Sequence, residues 1–190
     1  MCRIRFHILR DYKELDNFVC GIDVMDDFLH SDRLKESIIA NHCDPYIIED
    51  DKNNVIGFFA LDITTLELDD DYKADLMQGM LDAAKPEFQT KEELRDFLER
   101  KVFDVVDIAY LAIHKDYQHK GVGSEVMSII FDIARIKMPE SVFITVDALY
   151  LKDRGYNTAP FYEKFGFQRM YPVFGDTIRM FSTIYPYKAV

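Results

Sequence analysis

The spacing of apolar residues changes several times along the chain, and each change marks a predicted strand or helix. Segments rich in apolar and β-branched residues, typical of strands, lie at residues 3–9, 45–48, 55–66, 102–113 and 142–146. A polar turn between the second and third of these predicts an antiparallel hairpin. After residue 120 the apolar positions are instead three or four apart: Val122, Val126, Ile129, Ile130 and Ile133. That spacing predicts an amphipathic helix, which should end at Pro139.

Two short helices are predicted in the first quarter of the chain. Asp23 is the expected N-cap of the first, which places Val24 and Phe28 on one face. The second carries Leu34 and Ile38 at the same helical spacing.

A further short helix is predicted near Thr158. Phe161 and Phe165 are four residues apart and are expected to face the core, which leaves Tyr162 free to point elsewhere. The last apolar segments, on either side of Gly175, predict a final hairpin.

The turn that enters the long helix carries the sequence Gln-His-Lys-Gly-Val-Gly-Ser at residues 118–124. Gly121 and Gly123 have no Cβ, so the backbone there can approach a bulky group closely. The first amides of a helix lack internal partners and lie at the positive end of its dipole, and Lys120 adds a formal charge. The turn is therefore predicted to bind a phosphate or pyrophosphate.

At these residues the chain resembles the GNAT superfamily of acyl-CoA-dependent N-acetyltransferases. The family signature is Gln or Arg, two variable residues, Gly, a variable residue, and Gly or Ala, and it is met by residues 118–123. A second family feature lies at residues 157–167. The resemblance implies an α+β (mixed α/β) fold of three layers, with helices on both faces of a central, mixed, twisted sheet. It also implies acetyl-CoA as co-substrate, with the pantetheine arm lying between two parallel strands that separate.

The resemblance also assigns roles to single residues. The CoA phosphates are expected at Gln118, His119, Lys120, Gly121, Val122, Gly123 and Ser124. The backbone of Leu111, Ala112 and Ile113 is expected to pair with the pantetheine amides, and the Leu111 amide to polarise the thioester carbonyl. Tyr162 matches the family's general acid, which protonates the departing thiolate. Asn157 lies near a family asparagine that contacts CoA.

Asp107 is the candidate general base. A lysine-like amine with a pKa of about 10.4 is almost fully protonated at pH 7, so a base helps its attack. Histone-modifying relatives carry a Glu eleven positions before the signature Gln, and that position is Asp107 here. Strand alternation predicts the Asp107 side chain on the same face as Ala109, Leu111 and Ile113. The alternative is an exposed Asp at a strand entry without a catalytic role.

Residues 67–101 separate two strands that the minimal family fold joins directly. Their charged sequence has helical patterns near residues 74–84 and 91–101. We interpret them as a helical insertion within a single acetyltransferase domain spanning residues 1–190. Such an insertion can be a solvated face or an oligomer contact, as in a homodimer, or a lid that selects the acceptor.

Three functions are compatible with these residues. The leading one is transfer of an acetyl group from acetyl-CoA to a primary amine of a small molecule or protein, by direct attack in a ternary complex. Phe18, Cys20 and Gly21, followed by a helix with Phe28 and Leu29, resemble the opening of GNAT-type toxins of bacterial toxin-antitoxin pairs, which implies an aminoacyl-tRNA acceptor. The third is a non-catalytic acyl-CoA-binding sensor or scaffold, against which the intact Tyr162 argues.

Charge and composition narrow the choice of partners. The net charge of −11 opposes nucleic acid and anionic membranes and favours a cationic acceptor, although ordinary acidic solubility explains it equally. His114 and His119 flank the turn without a third ligand, so no metal is expected. Three cysteines without ligand spacing, no bilayer-length apolar run and no secretory signal pattern predict a cytoplasmic protein.

Overall fold

The strands form one sheet in the computed structural model, which describes residues 4–70, 92, 95–96, 99–171 and 175–184. They are β1 (Arg5–Ile8), β2 (Asp44–Glu49), β3 (Val55–Glu67), β4 (Val102–Ile113), β5 (Phe143–Leu151), β6 (Tyr156–Asn157), β7 (Gln168–Arg169) and β8 (Thr177–Thr183). Their order is β1-β2-β3-β4-β5-β8-β7, with β6 paired to β5. The β4–β5 pair is parallel and the other pairs are antiparallel. The predicted mixed sheet and both predicted hairpins are therefore confirmed.

Helices cover both faces of this sheet. They are α1 (Asp23–Leu29), α2 (Asp32–Asn41), α3 (Val122–Lys137) and α4 (Ala159–Glu163). A 3-10 turn at Tyr12–Leu15 precedes α1. None of the helices in the described part of the chain is long and apolar enough to cross a membrane.

Three apolar clusters hold the layers together. On one face, Val126 and Ile130 of α3 pack with Ile108 of β4 and Val146 of β5, in a group that we call the α3 cluster. On the other face, residues of α1 and α2 pack against β2 and β3: Leu29, Leu34, Ile38, Ile47 and Phe58. A third cluster joins Leu66, Phe103, Val105, Phe143 and Phe181 at one end of the sheet. The three-layer α+β architecture is thus confirmed.

The start of α1 differs from the prediction. Ile22, not Asp23, is its N-cap, and no side chain caps the helix. The Asp26 carboxylate, inside α1, instead accepts hydrogen bonds from the Cys20 and Gly21 amides at 2.7 and 2.9 Å. The carboxylate that orders this turn therefore lies one helical turn later than the expected cap.

A β-bulge in β4 changes which side chains share a face. Ala60 is opposite Tyr110 and Leu61 is opposite Ile108, so Ala109 is an extra residue in β4. Ile108, Leu111 and Ile113 consequently contact the α3 cluster. Asp107, next to Ile108 before the bulge, lies on the opposite face. The prediction that Asp107 shares a face with Leu111 and Ile113 is wrong, because uninterrupted alternation does not hold across a bulge.

The parallel strands β4 and β5 pair over only three residues of each. Val106, Asp107 and Ile108 pair with Ile144, Thr145 and Val146. Both strands continue beyond this point, to Ile113 and Leu151, without pairing to each other. The structure therefore contains the separation of parallel strands that the family resemblance implied. We call this opening the fork.

The charged segment at residues 67–101 leaves and re-enters the sheet at one end. Glu67 pairs with Val102, and the Leu68 amide donates to the Lys101 carbonyl at 2.9 Å. An insertion between two neighbouring strands accounts for this arrangement. The predicted helix at 74–84 lies outside the described residues. Of the predicted helix at 91–101, the described positions 92, 95, 96 and 99 are helical, whereas positions 100 and 101 are not, so the helix ends earlier than predicted.

Candidate functional site

The fork offers backbone groups of β4 that β5 does not use. The His114 amide donates to the Ile56 carbonyl of the neighbouring hairpin strand at 2.9 Å. Since successive residues of a strand direct their backbone groups to opposite edges, the N–H groups of Leu111 and Ile113 point away from β3 into the fork. The backbone of Ala112 points toward β3 by the same rule. An extended ligand in the fork would therefore bond to Leu111 and Ile113, but not to Ala112.

The fork leads to the N-terminus of α3. Gly121 is the N-cap with φ +87°, and no side chain caps the helix. The amides of Ser124 and Glu125 donate to the Gly121 carbonyl at 3.0 and 3.2 Å, so the amides of Val122 and Gly123 precede the first helical bond. These amides and the positive end of the dipole suit an anion.

The two glycines of this turn are required for different reasons. A Cβ on Gly121 would meet nothing within 4 Å, so this position needs glycine for its left-handed backbone. A Cβ on Gly123 would lie 3.1 Å from the Phe161 ring of α4. Gly123 therefore permits close packing within the protein, where we had expected close approach of a ligand at both glycines.

The side chain of Gln118 forms hydrogen bonds that link the turn to β4 and to the segment before α1. Its Nε2 donates to the Cys20 carbonyl at 2.7 Å and to the Ile113 carbonyl at 2.9 Å. The Lys115 amide adds a hydrogen bond to the Val19 carbonyl at 2.9 Å. The Gln118 side chain thus joins the end of β4 to the segment before α1, and a contact between this side chain and CoA stays a prediction.

A buried aspartate in the β2–β3 hairpin accepts a hydrogen bond from the same turn. Tyr117 donates through its hydroxyl to Asp50 Oδ2 at 2.9 Å. The carboxylate also accepts from the Lys52 and Asn54 amides and from Asn54 Nδ2. Burial acts to raise the pKa of Asp50, but the hydrogen bonds outweigh it and lower that pKa to about 2. Asp50 therefore stays ionised at neutral pH.

The remaining residues of the predicted phosphate site differ in what they present. The side chains of His119, Lys120 and Ser124 are exposed, and His119 adopts a left-handed φ of +58°. Val122 is buried in the α3 cluster, so only its backbone amide can face a ligand. Lys120 lies 6.0 Å from the centre of the Tyr117 ring, on the same turn. This arrangement supplies one exposed cation beside the free amides.

Tyr162 is more buried than its sequence spacing suggested. It is 6% exposed and belongs to the α3 cluster, whereas Phe161 and Phe165 are half-buried at its edge. Phe161 and Phe165 pack against this cluster, as predicted, but the expectation that Tyr162 points elsewhere is wrong, because α4 has only five residues and its neighbours enclose more than one side of it. Burial raises the pKa of the Tyr162 hydroxyl, and the charges of Tyr156 and Asp107 add to the effect.

The Tyr162 hydroxyl is free to act on a ligand. It has no hydrogen-bond partner among the described residues. Within that part of the chain no fully buried side-chain oxygen or nitrogen lacks a partner, so the hydroxyl must reach a solvent-accessible surface. The hydroxyl is protonated at neutral pH, as a proton donor requires, although the raised pKa makes it a weaker acid than a free phenol.

Asp107 lies at the closed end of the fork, in its last paired stretch. Its Oδ1 accepts from Thr145 Oγ1 at 2.5 Å and from Arg179 Nη1 at 2.7 Å. Burial raises the pKa of the Asp107 carboxyl, while Arg179 and Thr145 act in the opposite direction. Asp107 is thus a largely buried, ion-paired carboxylate and not an exposed residue at a strand entry.

Asn157 has a local structural role. Its Oδ1 accepts from the Ala159 amide at 2.9 Å, at the start of α4. Thr158 adds hydrogen bonds from its amide and hydroxyl to the Leu149 carbonyl, at 3.0 and 3.1 Å. Asn157 thus helps to orient the helix that carries Tyr162, and a contact with CoA stays a prediction.

Sequence reasoning missed two residues of this site, Arg179 and Thr145. Thr145 pairs with Asp107 only because β4 and β5 are parallel neighbours, and Arg179 reaches both from β8. Neither lies in a motif, so only the strand register could have revealed them. In the described part of the chain, no three His, Cys, Asp or Glu side chains are grouped as metal ligands.

Comparisons with known proteins agree with this geometry. The model of the acetyltransferase (GNAT) domain family matches residues 41–169, more than half of the chain. Comparison with curated protein sequences gave no match. Among solved structures, a bacterial toxin is similar with a TM-score of 0.66 at 18% identity, covering 97% of this chain and 92% of that one.

Two further solved structures are similar over nearly the whole chain. AtaTR bound with acetyl-CoA has a TM-score of 0.63 at 20% identity, with 98% of this chain and 95% of that one covered. AtaT complexed with acetyl-methionyl-tRNAfMet has a TM-score of 0.60 at 17% identity, with 93% and 94% covered. At such identities the likeness shows the shared fold.

Proposed function

The chain belongs to the GNAT acetyltransferase family, and from this premise we propose that it transfers the acetyl group of acetyl-CoA to a primary amine. One observation carries the proposal. The fork between β4 and β5 lies next to the uncapped N-terminus of α3 at Gly121, and α4, which carries Tyr162, contacts β5. In this proposal the helix N-terminus serves as the anion site, Tyr162 serves as the proton donor, and the unused strand edges lie between them.

The residues present fit acetyl-CoA as co-substrate. The amides of Val122 and Gly123, with the exposed Lys120, suit its pyrophosphate, and Leu111 and Ile113 offer backbone bonds for its pantetheine arm. Acetyl-CoA supplies the thioester carbonyl that the amine attacks. The Leu111 amide points toward the fork, where it can bond to a carbonyl oxygen that gains negative charge.

The chemistry requires two protons to leave the acceptor. A protonated amine loses one before its nitrogen attacks, and a second as the new C–N bond becomes an amide and the C–S bond breaks. One of the two is needed to form free CoA thiol, and the other is released to solvent. In this proposal Tyr162 donates a proton to sulfur and regains one from solvent, and a buried setting would also raise the pKa of the departing thiolate.

The similar solved structures suggest a second class of acceptor, which can be tested directly. One solved complex contains AtaT with acetyl-methionyl-tRNAfMet, and others contain tyrosine-to-phenylalanine mutants of AtaT and KacT. By this likeness the acceptor would be the α-amino group of an aminoacyl-tRNA, and an antitoxin would be a partner. The net charge of −11 favours a small or protein-borne cationic amine instead.

The experiment combines binding and turnover. Isothermal titration with acetyl-CoA is paired with measurement of thiol release across polyamines, aminoglycosides, amino acids, peptide amines and aminoacyl-tRNA. We expect binding and turnover with at least one cationic amine. Turnover with aminoacyl-tRNA alone would favour the toxin-like acceptor. Binding without turnover would identify an acyl-CoA sensor, and absence of binding would contradict the proposal.

A further inference from the structure

Asp107, the carboxylate at the closed end of the fork, accepts hydrogen bonds from described residues through only one of its two oxygens. Thr145 Oγ1 and Arg179 Nη1 both donate to Asp107 Oδ1, and Arg179 Nη2 also donates to Thr145 Oγ1 at 3.1 Å. Asp107, Thr145 and Arg179, on the adjacent strands β4, β5 and β8, are thus each hydrogen-bonded to the other two. Asp107 Oδ2 receives no hydrogen bond from any described residue.

This free oxygen is available to a ligand. The Asp107 side chain is 15% exposed, and in the described part of the chain every fully buried side-chain oxygen or nitrogen has a partner. Oδ2 is therefore accessible. Asp107 lies beside the point where β4 and β5 separate, close enough for its charge to raise the pKa of Tyr162.

The groups facing Asp107 are mainly acidic. Arg179 also pairs with Asp147 at 3.4 Å, so a single guanidinium serves two carboxylates. Asp62 of β3 is the strand partner of Asp107, and burial, followed by the charges of Asp62 and Asp107, raises the pKa of Cys43. Among the described residues, the ionisable groups around Asp107 include Arg179, Asp147, Asp62, Cys43 and Tyr162. Their net charge is negative, which suits a cation.

We infer that Arg179 and Thr145 are positioning residues that fix Asp107 by Oδ1, so that Oδ2 binds the ammonium group of a cationic acceptor and takes one of its protons. The inference rests on the proposed function and names its substrate class. The proton moves from the ammonium nitrogen to Oδ2, giving a neutral amine and a neutral carboxyl group. Asp107 then releases that proton to solvent.

The test is the pH dependence of kcat with the best primary amine of the screen, at saturating acetyl-CoA and amine. A base must be ionised, so kcat rises with pH through the pKa of Asp107. This rise is the acidic limb of the pH profile. Removing a cation or donor from Oδ1 favours the protonated carboxyl. Arg179→Gln is therefore expected to move this acidic limb to higher pH by about one unit, and Thr145→Val to move it in the same direction.

Three further variants separate positioning from general damage. Asp107→Asn should abolish the limb and lower kcat by about 100-fold. Thr145→Ser keeps the hydroxyl and should restore the wild-type limb. Arg135→Gln is the matched control, because Arg135 is similarly exposed and also donates to a carboxylate at 2.7 Å, but on α3. The acidic limb of the Arg135→Gln profile should coincide with that of the wild type.

The outcomes distinguish this inference from the function it rests on. If the wild type turns over an amine but the limbs of Arg179→Gln and Thr145→Val coincide with its own, the inference is wrong and the proposed function stands. If no amine is acetylated, both are wrong. Thr145→Val is nearly isosteric, so it provides the result even if Arg179→Gln does not fold.

Discussion

Tyr162 and Asp107 acquire their chemistry from burial. Each is an ordinary residue type whose pKa is raised mainly by removal from water. The consequences differ, because a raised pKa preserves the proton of a phenol but makes a carboxylate a better base. The same environment thus makes Asp107 a stronger base, while it keeps Tyr162 neutral but makes it a weaker acid than a free phenol.

We predict that Tyr162→Phe lowers kcat by about 100-fold or more and leaves the Kd for acetyl-CoA nearly unchanged. The substitution removes only the hydroxyl, so the packing of the ring against Phe161 and Phe167 is kept. Steady-state kinetics and calorimetry measure the two quantities.

Tyr46→Phe is the control for that substitution. Tyr46 contacts the same apolar cluster from β2, where its ring stacks on Phe59 at 4.8 Å, and burial also raises its pKa. Its kcat should remain within about threefold of the wild type. Equal losses in both variants would contradict a specific role for Tyr162.

At the scale of elements, the site depends on how α3 and α4 meet. Gly123 in the first turn of α3 faces the Phe161 ring, and the residue after Phe161 is the proposed acid. The helix proposed to bind phosphate and the helix that carries the proposed acid are therefore in contact. A displacement of one is transmitted to the other.

Gly123→Ala is predicted to destabilise the protein by about 1–2 kcal/mol and to lower kcat, because the new methyl group overlaps the Phe161 ring. Adding Phe161→Leu should recover most of the stability, since the smaller side chain makes room. Chemical denaturation and turnover of the single and double variants provide the measurement. A double variant no more stable than Gly123→Ala would show that the cost arises elsewhere.

At the scale of the molecule, the net charge of −11 acts on acceptors before they bind. Long-range attraction speeds the encounter with cations and weakens as salt shortens the screening length. The charge also opposes tRNA unless the contact surface is locally basic. Salt dependence therefore reports which class of acceptor the whole surface favours.

We predict that raising the salt concentration from about 50 to about 500 mM lowers kcat/KM for a polyamine by about three- to tenfold, with kcat little changed. A monoamine acceptor is the control and should lose less, because it carries fewer charges. A kcat/KM for the polyamine that is independent of salt would show that charge does not guide it to the site.

The elements of the fold were largely predictable, because their signals are local. Apolar spacing indicated the strands and α3, and the residues around Gly121 indicated an anion-binding turn. The bulge at Ala109 was not predictable, because an extra strand residue is defined only against its partner strand. The error about the face of Asp107 followed directly from it.

The sequence by itself determined the order of strands and helices, the glycine turn, the acidic surface and the residue types available for catalysis, since each depends on neighbouring residues or on composition. Only the tertiary structure decided that β4 and β5 separate after three paired residues, that Tyr162 is buried, and that Arg179 and Thr145 hold Asp107. These features join residues up to 72 positions apart. Contacts at such separations arise from strand register and packing, which no local pattern encodes.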